Sequence, residues 1–222
     1  MHTILNCTSR FTSAASMSYI ITVLRIFVVA LLLLWTFPAF SQESDVAELL
    51  KTIESLQKLN AEVAPLVVAA EEGDSATTKS LISKGVDLEQ RDAFGYTALM
   101  KASHSGHAMI VDMLLAAGAN VNTPGEFGAT ALYGSISGKH PKIAMRLLGQ
   151  GANVNARTRS GGSPLITAVY FGQTDIVREL LRRNANPNAR ENSGRTALSL
   201  ARSRSTQRTD LVEMLIAAGA SE

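Results

Sequence analysis

Residues 96–122 read Y-T-A-L-M-K-A-S-H-S-G-H-A-M-I-V-D-M-L-L-A-A-G-A-N-V-N, and a short tip extends from there to Gly128. The block recurs. Thr97, Thr130, Ser163 and Thr196 lie 33 residues apart, as do Ala102, Ser135, Ala168 and Ala201. The pairs Leu114-Leu115, Leu147-Leu148 and Leu180-Leu181 keep the same step, and so do the loops Gly118–Asn122 and Gly151–Asn155. A fixed period of this size describes one helical hairpin copied several times. No copy buries its apolar face alone, so neighbours stack.

Each copy carries its own punctuation. Gly95, Gly128 and Gly161 open turns, after which the hydroxyl of Thr97, Thr130 or Ser163 accepts from the free amides of a first helical turn. Pro164 fits the first helical place because no amide partner is needed there. Small residues at Ala69, Ala102, Ser135, Ala168 and Ala201 let adjacent first helices approach. Gly85, Gly118 and Gly151 suit the left-handed residue that ends each second helix, and Asn184 takes that place in the fourth copy. The copies occupy about 65–92, 93–125, 126–158, 159–191 and 192–222. The first lacks the capping hydroxyl, since Ala64 stands in its place. The fifth slips by two, Leu211-Val212 lying 35 residues beyond Ile176-Val177, and the polar stretch Arg202–Arg208 is expected to absorb the slip as a longer loop. The array is expected to end just after Gly219.

Through its T-[AP]-L, A-x-x-x-G-H, I-V-x-x-L-L and G-A-N-V-N segments the chain resembles the ankyrin-repeat family over residues 65–222. The resemblance implies an all-α ankyrin-repeat solenoid of about five helix-turn-helix repeats with short β-turn fingers. It also implies protein binding on the concave face, made of the finger tips and the exposed side of the first helices. It names no partner, because one fold hosts many unrelated functions.

Residues 1–41 contain no acid, two arginines (Arg10, Arg25) and an apolar run from Ile26 to Phe37, then Pro38-Ala39-Phe40-Ser41. These are the parts of a secretory signal peptide, with cleavage expected after Ser41 and Met17 an alternative start. The competing reading is an uncleaved anchor. The run is short for a span of roughly 20 residues, and the positive-inside bias still exports the chain beyond it. Cys7, the only cysteine, lies in this segment, so the rest must stand on helix packing without disulfides. Residues 42–64 repeat apolar side chains at Val46, Leu49, Leu50, Ile53, Leu56, Leu59 and Val63 with helical spacing. An amphipathic helix capping the first repeat is expected, with a dimerising coiled coil as the alternative.

Catalysis and cofactors are not expected. Beyond residue 41 the histidines are His104, His107 and His140. His107 and His140 keep the 33-residue step, which marks a structural place in the helix-helix turn. His104 and His107 share a spacing that suits a metal, yet no third ligand stands at matching distance. The glycines belong to turns and caps, and no phosphate loop is present.

Carrying the family's groove slots through the register gives the candidate binding residues. Repeat one offers Glu71 and Glu72; repeat two offers Arg91, Phe94, Tyr96 and His104; repeat three offers Glu126, Phe127 and Ser137. Repeat four offers Arg157, Arg159, Tyr170 and Phe171, and repeat five Arg190, Asn192, Arg195 and Arg204. Aromatic rings backed by arginine make hot spots at protein interfaces. Charge is spread lengthwise. Residues 42–126 hold 13 acids and 6 bases, whereas 157–208 hold 10 arginines and 3 acids. Arginine pairs bidentately with carboxylate, so a protein partner with an acidic patch facing repeats four and five is expected. Nucleic acid does not fit, because beyond residue 41 the 19 bases balance 19 acids. The expected protein is a monomeric, non-catalytic scaffold or adaptor in a bacterial periplasm, touching membrane only if the signal segment is retained. A secreted effector that engages a host or competitor protein is the alternative.

Overall fold

The computed structural model describes residues 64–203 and 209–221. The signal segment, the helix expected over 42–64 (apart from Ala64) and most of the Arg202–Arg208 loop, with Arg204, lie outside the described residues. Within the described residues ten helices form five hairpins: α1 (Pro65–Glu72) and α2 (Ser75–Ser83), α3 (Ala98–Ser105) and α4 (Ala108–Ala116), α5 (Ala131–Ser137) and α6 (Pro141–Gly149), α7 (Pro164–Phe171) and α8 (Thr174–Arg182), α9 (Ala197–Ser203) and α10 (Thr209–Ala217). Among them there is no strand, only two isolated antiparallel bridges, Arg91 with Thr97 and Arg190 with Thr196, each closing a finger. No helix among the described residues is long and apolar enough to cross a membrane.

The capping hydroxyls act as the sequence predicts. Thr97 accepts from the Met100 amide at 3.4 Å, Thr130 from Tyr133 at 3.4 Å, Ser163 from Ile166 at 3.3 Å and Thr196 from Ser199 at 3.1 Å. Each such cap is worth about 1 kcal/mol. Ala64 caps α1 with no side-chain bond, and Pro65 supplies the preset first helical residue instead. Asn184 is left-handed, with φ 61°, in the slot that glycine holds in the other repeats.

Each first helix packs on the next, α1 on α3, α3 on α5, α5 on α7 and α7 on α9. Ala102, Ser135 and Ala168 are fully buried at these crossings, where anything larger would push the helices apart. Leu99, Leu114, Leu132, Leu147, Leu165 and Leu180 fill one continuous apolar core that runs through all the junctions.

Polar contacts lock the repeats in register. The side chains of Asn122, Asn155 and Asn188 each bridge to the following repeat. Their carbonyl oxygens accept from the amides of Asn153, Asn186 and Ser221 at 2.7, 2.8 and 2.8 Å. Their amide nitrogens donate to the carbonyls of Gly151, Asn184 and Gly219 at 3.1, 3.2 and 3.0 Å. In repeat one Glu89 holds this place, accepting from the Asn120 amide at 2.8 Å and from the Thr123 hydroxyl. A second seam runs along the helix-helix turns. The His107 ring donates to the Glu71 carbonyl at 3.0 Å, and Gln173, two periods on, donates to the Ile136 carbonyl at 2.7 Å. The ring of His140 lies against Gly106. His107 and His140 therefore occupy the structural place that their spacing implies.

Candidate binding groove

The fingers and first helices share one face. Adjacent fingers are joined by backbone bonds, Arg159 N–H to the Phe127 carbonyl at 2.7 Å and Asn192 N–H to the Ser160 carbonyl at 2.9 Å, which hold the finger row together. Side chains above this row are fixed by their neighbours. Phe94 and Phe127 project from the tips, 65% and 48% exposed, and the Arg159 guanidinium stacks 5.4 Å from the Phe127 ring. Arg159 also donates to the Glu126 carbonyl at 3.2 Å, and Arg157 to the carbonyl of Arg190 in the next finger. Arg190 donates to Gly194 at 3.4 Å, Asn192 donates to the Arg159 carbonyl at 3.0 Å, and Arg195 pairs with Glu191 at 2.7 Å. Arg91 is exposed beside the first finger bridge.

The expected rings are not equally open to a partner. Tyr96 is half-buried against the core, beneath the Lys101 ammonium at 5.3 Å. Phe171 meets the edge of Tyr170 with ring centroids 5.0 Å apart and has Lys139 above it at 5.5 Å, so Tyr170 is the more exposed of the pair. Lys101 is held by Glu71 at 3.0 Å and Asp92 at 3.5 Å. Burial opposes its charge, but these two carboxylates outweigh that and raise its pKa above the ordinary lysine value.

Between α3 and α5 the groove floor opens into a hollow of about 450 Å³, lined by Tyr96, Met100, Lys101, His104, Tyr133 and Ser137 among others. His104 sits at its edge, with Nδ1 3.3 Å from the Ser137 hydroxyl. A second hollow of about 560 Å³, lined by Phe127, Thr158, Arg159 and Ser160, shares Tyr96, Ala129 and Tyr133 with the first. Sequence reasoning missed Tyr133. Its register place is filled by the buried Val67, Met100 and Ile166 in repeats one, two and four and by the exposed Ser199 in repeat five, so it reads as core from the majority. The available signal is a polar-tipped ring where repeats one, two and four carry an aliphatic side chain. Among the described residues no group of three or more His, Cys, Asp or Glu is placed to hold a metal ion.

Five stacked hairpins with a fixed period define a helical solenoid whose recognition surface is built from repeated slots. The family model described as ankyrin repeats (three copies) matches residues 66–158 and again 132–221. The chain belongs to the ankyrin-repeat family. Ankyrin repeats generally mediate protein–protein interaction. No curated protein matches the chain.

Proposed function

We propose that this protein is an exported, non-catalytic scaffold that binds a partner protein along the finger and first-helix face. The observation that carries the reading is the exposure of three rings, Phe94 and Phe127 at the finger tips and Tyr170 on the first helix of repeat four, on elements that are otherwise closely packed. Large exposed rings on a rigid support lose little entropy on binding, which is why such residues dominate interface energetics. Arg157, Arg159 and Arg190 flank them, favouring a partner with an acidic patch toward repeats four and five. Export rests on the signal-peptide pattern of residues 1–41, and that same pattern is the support for a periplasmic destination.

The test is affinity capture from periplasmic extract with the full-length chain, beside a variant carrying Phe94→Ala, Phe127→Ala and Tyr170→Ala that keeps its helical circular dichroism. A protein retained by the first bait and lost by the second supports the reading. Equal retention by both removes the groove from the function. Fractionation of cells expressing the tagged chain decides the destination, and recovery in the cytosol overturns export.

A further inference from the structure

We infer that the groove is a two-part peptide site, taking one bulky apolar side chain in the hollow of repeat three and carboxylates on the arginines of the neighbouring fingers. This deepens the scaffold reading and rests on it. The apolar part arises where two successive floor positions shrink. Lys101 of repeat two gives way to Gly134 one period on, and His104 gives way to Ser137. The hollow so opened is lined by Met100, Tyr96 and Tyr133, an apolar side chain and two rings that suit an aliphatic or aromatic side chain. It shares Tyr96, Ala129 and Tyr133 with the second hollow, so the two lie side by side, and the second is bounded by Arg159.

The charged part begins at the far wall, with Arg159. Among the described residues Arg157, Arg159 and Arg190 have no carboxylate within ion-pair reach; their hydrogen bonds go to backbone carbonyls. Each guanidinium carries five donors, so several remain for a ligand while the carbonyl bonds fix its direction. At the opposite rim Glu71 and Asp92 share the single charge of Lys101, so that end keeps a net negative charge and turns acidic residues of a peptide away from it. Charge complementarity therefore points to a peptide bearing Asp or Glu beside its apolar anchor, with the acids toward repeats four and five.

A random 12-residue peptide library displayed on phage, selected on the purified full-length chain, tests this. Enrichment of sequences that set a bulky apolar residue close to two or more Asp or Glu is the expected result. Affinity of the best peptide should fall at least about tenfold in Arg157→Glu/Arg159→Glu/Arg190→Glu and weaken with added salt. Ser137→Tyr should abolish the apolar preference by filling the hollow. That variant is compatible with the fold, because Tyr170 occupies the same place one period later. Enriched peptides without acidic bias, but lost in the Phe94/Phe127/Tyr170 alanine variant, overturn the two-part site and leave the scaffold reading intact. No enrichment, or peptides indifferent to every groove variant, overturns both.

Discussion

Gly138 packs so tightly against the carbonyl of His104 in the preceding repeat that a Cβ at this position would overlap the oxygen. The contact has moved a glycine. In repeats one, two and four the left-handed residue between the two helices is Gly73, Gly106 and Gly172, but the same slot in repeat three holds Lys139 at φ 61°. Glycine is needed one place earlier, for room, and lysine takes the torsional cost of about 1–2 kcal/mol. Gly138→Ala is thus expected to destabilise by about 2 kcal/mol, in the range of overpacked cores. Lys139→Gly relieves the torsion but loses the Phe171 contact and adds freedom to the unfolded chain, so its expected effect lies within about 1 kcal/mol. Urea unfolding of the two variants checks the contrast, and equal losses would contradict it.

Asn155 holds two junction bonds that no other side chain replaces, one to the Asn186 amide and one to the Asn184 carbonyl. At a net value near 1 kcal/mol each, less where water substitutes, Asn155→Ala is expected to cost about 1–2 kcal/mol. Asn155→Asp keeps the acceptor and should lose roughly half as much. Denaturant midpoints at unchanged slope provide the reading.

Ser103 is fully buried, and its hydroxyl has no hydrogen-bond partner among the described residues. One period earlier the same place is Ala70, also fully buried. Ser103→Ala is therefore expected to raise stability by about 1 kcal/mol, because it removes an unpaired polar group without opening a large void. A lower thermal midpoint in the variant would show that the hydroxyl is satisfied after all.

Glu179 receives the guanidinium of Arg182 at 2.8 Å and that of Arg183 at 2.6 Å, and these bonds lower its pKa to about 2 from an ordinary 4.5. A depressed carboxylate adds stability above its unfolded pKa, and that contribution disappears as pH falls through the folded value. Stability is expected to decline between pH 4.5 and about 2 partly for this reason. Glu179→Gln should flatten that part of the acid limb. A variant whose acid limb superimposes on that of the parent would remove Glu179 from the account.

The sequence showed clearly what is periodic. Thr97, Thr130 and Ser163 announce their caps, Ala102 and Ala168 announce helix crossings, and Asn184 is recognisable as a stand-in for glycine, because each argument needs only one copy compared with the next. What escaped is what breaks the period for a three-dimensional reason. Tyr133 stands at a place that is buried in repeats one, two and four, yet it is only half-buried and lines the hollow in the groove floor beside Gly134. The exchange between Gly138 and Lys139 depends on how near α5 comes to His104, which no register position records. Of the expected site, the tip residues Phe94 and Phe127 are exposed as read, while Tyr96 and Phe171 turn toward their own array because a cation covers each ring.

The asparagine bridges have a consequence for how such a chain can change. Every junction from repeat two onward presents the same asparagine donor and acceptor to the same backbone groups, so this bridge fits between any two of these units. A tandem duplication of residues 126–158 would keep this bridge on both sides, and it would carry Gly134 and Ser137 with it. The bridge is thus carried by each unit, whereas the hollow is made where two units meet, with Tyr96 and Met100 from one and Tyr133 and Ser137 from the next, so a new specificity is reached by changing which modules are neighbours.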